Sequence, residues 1–89
     1  MISTEERETI IRCATKFGAA AVFLFGSSLL PDHVAHDIDI GVKGIAPRRF
    51  FKFYGELIRL MPKPVDVVDL THDSLFNQLV QEKGQKILG

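Results

Sequence analysis

The sequence predicts an α/β fold (α+β in some schemes), a small mixed β-sheet with flanking helices packed mainly on one side. Three runs of strand length, residues 20–25, 37–42 and 65–70, alternate with longer stretches of helical period. The first run is continuously apolar, as a central strand is, and the second alternates acidic with aliphatic residues. The chain has 89 residues, 46% of them hydrophobic and 25% charged, enough for one core but not for two. Residues 1–89 are therefore expected to form a single domain.

Each element has its own signal. Ser3 followed by Glu6 has the spacing of a capping box, so a first helix begins at Thr4. Ile10, Ile11, Ala14 and Phe17 give it an apolar stripe, and Gly18 is its natural stop. The run 20–25 is too short for a buried helix and closes at Gly26. A single helical turn fits 27–30 before Pro31 and Asp32 break it. Pro47 opens a second helix at a position where its missing N–H is harmless, and Pro62 and Pro64 end it. A last helix is expected over 71–82, capped by Thr71 or Asp73, and Lys86, Ile87 and Leu88 suit a short edge strand.

Composition narrows the function. Eleven basic and eleven acidic residues cancel, so no overall field draws in long nucleic acid, and a small ligand or protein partner is expected instead. Zero net charge with high apolar content also favours association between copies. Cys13 is the one cysteine, which rules out an internal disulfide and a four-cysteine zinc site; a buried thiol acting as a small hydrophobe is expected. The N-terminal residues are polar and acidic and no apolar run is long enough to span a membrane, so the expectation is a cytoplasmic address.

The chemistry lies in Phe25-Gly26-Ser27-Ser28 and in Asp37-Ile38-Asp39 downstream. A Gly-Ser turn leaving a strand lets backbone N–H groups approach a phosphate, and the Ser27 hydroxyl adds a donor. Asp37 and Asp39, two residues apart on a strand, project from one face while Ile38 and Ile40 point into the core. Magnesium is a hard ion held by one or two carboxylates together with substrate phosphates, so this pair suits Mg2+ carrying a nucleoside triphosphate. The turn does not match Gly-x-x-x-x-Gly-Lys-Ser/Thr, which argues against a P-loop NTPase.

Gly26-Ser27, Asp37-Ile38-Asp39-Ile40 and Val65-Asp66-Val67-Val68-Asp69-Leu70 together resemble the nucleotidyltransferase superfamily that shares the DNA polymerase beta palm. The size is similar to its minimal nucleotidyltransferase (MNT) branch. The resemblance implies that Gly26 and Ser27, with Ser28 beside them, bind the triphosphate of ATP or another NTP. It implies that Asp37 and Asp39 bind Mg2+ and that a third acid completes the catalytic site. For that acid Asp66 is favoured, because Asp69 has opposite parity in a regular strand. The implied function is transfer of a nucleoside monophosphate, AMP from ATP, to a hydroxyl on a helical HEPN-domain partner, as the antitoxin of a toxin–antitoxin pair.

Two departures keep an alternative open. No basic residue follows the Gly-Ser pair within Ser28-Leu29-Leu30-Pro31, and His36 stands where serine often precedes the acids. A catalytically weak or inactive subunit that neutralises its partner by occlusion is the competing reading. The chain also looks too short to carry an acceptor domain for small-molecule adenylylation.

Other residues have a plain and a functional reading. His33, His36 and His72 form no metal-binding spacing; His36 is a loop histidine or touches phosphate. Arg48, Arg49 and Lys52 form a basic cluster that is either a solvated face or a contact for phosphate or an acidic partner. Phe50, Phe51, Phe53 and Tyr54 exceed one helix face, so part of this surplus marks the second helix, or the last one, as a candidate interface.

Overall fold

Why the chain folds as it does is clearest at its first helix, α1 (Thr4–Lys16). The Glu6 amide donates to Ser3 Oγ at 3.1 Å and the Ser3 amide donates to Glu6 Oε1 at 2.8 Å, so the capping box is closed. Glu5 and Glu6 in the first turn and Lys16 in the last complement the helix dipole. Ile10, Cys13, Ala14 and Phe17 are buried at helical spacing, and Gly18 ends the helix with φ +86°. The structure, a computed structural model, describes residues 2–29 and 37–89.

The remaining elements follow in the expected order. β1 (Ala21–Phe25) leads into a single 3-10 turn, Gly26–Leu29; then come β2 (Ile38–Lys43), α2 (Pro47–Leu60), β3 (Val65–Asp69), α3 (Leu75–Lys83) and β4 (Gln85–Leu88). The sheet is mixed, in the order β3-β2-β1-β4. β1 pairs antiparallel with β2 and with β4, while β2 and β3 pair parallel. Parallel neighbours need a crossover, and α2 supplies it.

Both faces of the sheet are covered. Val22, Leu24, Ile38, Ile40, Val42 and Val65 pack beneath α1 and α2. Phe17 meets Phe53 edge to face at 5.8 Å where those two helices touch. On the opposite face Ala21, Phe23 and Leu70 pack with Val80 of α3. Two helices thus lie on one side and one on the other.

α3 starts later than expected, and its cap is Ser74 rather than Thr71 or Asp73. The Asn77 amide donates to Ser74 Oγ at 3.0 Å. The buried Asn77 side chain donates to the carbonyls of His72 at 2.6 Å and Asp69 at 3.3 Å. Asp69 Oδ1 accepts the Thr71 amide at 2.9 Å. These bonds hold the segment after β3 as a turn, and a helix from residue 71 would forfeit them.

Candidate active site

The end of β1 and the starts of β2 and β3 meet at one end of the sheet, because β1 runs opposite to the other two. Register pairs Asp39 with Phe25 on one side and with Asp66 on the other. Residues paired across strands share a face, so Asp39 and Asp66 project together from the face that carries α3. Ile38 and Ile40 are almost wholly buried on the opposite face, which fixes the parity of Asp39. Asp37 is exposed in the bend just before β2. Asp69 pairs with Val42, a core residue of the other face, and its carboxylate caps the Thr71 amide.

The turn after β1 is fitted to Asp39. Gly26 has φ +57°, and a Cβ there would stand 2.7 Å from Asp39 Oδ2. Glycine is therefore required both for the left-handed backbone and for the approach of the carboxylate. Ser28 is buried at 1% exposure. Its hydroxyl donates to the Asp39 carbonyl at 2.9 Å and accepts from the Asp39 amide. This side chain thus continues the sheet ladder past Phe25 and ties the turn to the acidic strand. The Ser27 side chain, His33, His36 and the break at Pro31–Asp32 lie outside the described residues.

Among the described residues no three acidic, histidine or cysteine side chains converge tightly enough to hold a metal by themselves. The donors that are present are hard carboxylate oxygens. An apolar cleft of about 290 Å³ opens beside Gly26, walled by Phe25 and Leu29 and by Phe76, Leu79 and Val80 of α3, with Lys83 at its edge. Phe25 and Phe76 meet edge to face at 5.9 Å. Sequence reasoning missed this wall. Its signal was the apolar surplus of a nine-residue helix, in which Leu75, Phe76 and Leu79 remain about half or more exposed.

Glu56, on α2 and away from the acids, takes the Lys16 ammonium at 2.8 Å, and that bond holds its carboxyl below the usual range. Cys13 Sγ donates to the same carboxylate at 3.4 Å. Burial first, and then the Glu56 bond and charge, push the thiol up to about 11. No described helix is long and apolar enough to cross a membrane.

No protein-family model and no curated protein matches the chain. Solved structures do. A chain of the toxin–antitoxin complex MntA-HepT superposes with TM-score 0.74 at 20% identity, over 98% of this chain and 73% of that one. A toxin–antitoxin structure with AMP-PNP gives 0.75 at 24% identity, over 93% and 73%. A chain of the complex of a tri-AMPylated Shewanella oneidensis HEPN toxin with MNT antitoxin gives 0.74 at 21% identity, over 99% and 73%. The chain has the nucleotidyltransferase fold of the MNT antitoxins.

Proposed function

We propose that this protein is a magnesium-dependent nucleotidyltransferase that moves AMP from ATP onto a hydroxyl of a HEPN-domain partner, and so acts as an antitoxin. The observation that carries this reading is the pairing of Asp39 with Asp66 on one face, with Gly26 held against the Asp39 carboxylate. The similar structures, one with the ATP analogue AMP-PNP and another with an AMPylated toxin, support the same chemistry.

The donor set suits magnesium, which takes one or two carboxylates and fills its shell with phosphate oxygens rather than with a closed protein cage. Asp37 and Asp39 would hold it, with Asp66 completing the set. Bound there, the ion would supply neutralisation of the triphosphate charge. Gly26 and Ser27 would bind the triphosphate, and Ser28 fixes the Asp39 backbone so that its carboxylate keeps its place. The apolar wall of Phe76 and Leu79 offers a surface for the nucleoside. Asp66 accepts the proton of the attacking hydroxyl, whose oxygen bonds to the α-phosphorus as pyrophosphate leaves. The rate gain comes from positioning and from fixed charge rather than from a covalent enzyme intermediate.

The test uses ATP labelled at the α-phosphate, Mg2+, this protein and the product of the adjacent gene, with an Asp37→Asn/Asp39→Asn variant alongside. Label should enter the partner with the wild type alone. Absence of label, with the partner bound and silenced equally by both forms, would instead assign the fold to inhibition by occlusion.

A further inference from the structure

A groove of about 880 Å³ runs between the C-terminal end of α1 and the outer side of α2, on the helical layer away from the carboxylates. Five cations line it, Lys16, Arg48, Arg49, Lys52 and Arg59, against the single carboxylate of Glu56. The groove therefore carries a formal excess of four positive charges in a chain whose net charge is zero. Glu56 is already engaged by Lys16 and Cys13. Arg49 is held over the Phe17 ring at 5.0 Å, which keeps its guanidinium at the groove floor.

Two further features lie on the same stripe. Phe51, at the rim, is 80% exposed. Gly55 sits inside α2, and beyond its own helix backbone no atom of the described residues lies within 4 Å of the place its Cβ would take. Glycine in a helix interior costs about 1 kcal/mol relative to alanine, and among the described residues no neighbour requires it here. What its missing side chain permits is close approach of another chain to the helix backbone.

The occupant follows from charge and length. A two-fold dimer through this face would set one positive groove against another, which disfavours a second copy. The remainder of the molecule carries the balancing negative excess, which opposes a long nucleic acid. Residues 48–59 span about 16 Å of helix, or three turns. We propose that this groove docks an acidic amphipathic helix of a partner protein, laid along α2 with its backbone over Gly55 and an apolar side chain against Phe51. This surface is separate from the acidic face, so a partner held here leaves Asp39 and Asp66 open.

The test is fluorescence anisotropy with a labelled amphipathic peptide of about 15 residues, Glu on its polar face and Leu on the other, and a labelled oligouridylate of equal length. The wild type should bind the peptide in a salt-sensitive manner and more tightly than the RNA. Arg48→Glu with Lys52→Glu should weaken peptide binding by at least about tenfold. Gly55→Leu should weaken it similarly while raising the melting temperature, because leucine is the better helix former; that opposition excludes unfolding as the cause. Asp37→Asn/Asp39→Asn should leave the affinity unchanged, so loss of nucleotidyl transfer would not touch this result. No peptide binding by the wild type, unchanged binding in the groove variants, or tighter binding of oligouridylate would each overturn the proposal.

Discussion

Replacing Gly26 with alanine should separate the stability of the turn from the placement of Asp39. Gly26 has φ +57°, and Gly18 offers a control at φ +86° with nothing within 4 Å of an added Cβ. An L-residue in left-handed backbone costs about 1–2 kcal/mol, so both variants should lose roughly that much stability. At Gly26 the new methyl also meets Asp39 Oδ2 at 2.7 Å, and ordinary contact begins at 3.4 Å, so the carboxylate must retreat by about 0.7 Å. The end of a side chain moves more cheaply than backbone, and the two unfolding free energies should agree within about 0.5 kcal/mol. Displacements near 1 Å in a reacting assembly cost on the order of a hundredfold in rate. Urea unfolding followed by far-UV circular dichroism gives the first quantity, and transfer of label from α-labelled ATP gives the second. Gly18→Ala should transfer normally, whereas Gly26→Ala should lose roughly ten- to a hundredfold. Wild-type transfer by Gly26→Ala would refute the idea that this glycine exists to seat the carboxylate.

Ser28→Ala removes the group that both donates to and accepts from the Asp39 backbone, and should cost about 1–3 kcal/mol in urea unfolding; faster hydrogen exchange at the Asp39 amide would locate the loss. Asp66→Asn should abolish label transfer while Asp69→Asn, which keeps an oxygen for the Thr71 amide, should not; equal losses would contradict the assignment. The Cys13 thiol, raised from 9.0 to about 11, should react slowly with a disulfide reagent at pH 8, and Glu56→Gln should speed it. The folded state holds this thiol neutral, so its contribution to stability is complete below pH 9 and is lost as pH rises towards 11, which unfolding measured across that window will read. Glu56, lowered chiefly by its Lys16 hydrogen bond, works in the opposite sense: its contribution is present above the carboxylate range and is lost as pH falls through it.

Features set by near neighbours in the chain were legible in advance. The capping box of Ser3 and Glu6, the stop at Gly18 and the start at Pro47 depend on groups within a few residues, and each stands where its spacing placed it. The same holds for the opposed parity of Ile38 and Asp39, because a strand alternates whatever it pairs with. The start of α3 was not legible, because Asn77 reaches back to the carbonyls of His72 and Asp69, and those bonds exist only once the chain has turned. Nor was the side of the sheet that α3 covers.

The sequence by itself determined the order of elements, the alternation that puts Asp39 on one face and Ile40 on the other, and the glycine that a left-handed turn after β1 demands. Only the tertiary structure decided which strands are neighbours. Pairing brings Asp66 beside Asp39 and leaves Asp69 beside Val42, and it recruits the Ser28 hydroxyl to extend the ladder instead of facing outward. Propensity and period act along a single chain, whereas register, close approach and the gathering of charge along α2 arise between segments far apart in sequence.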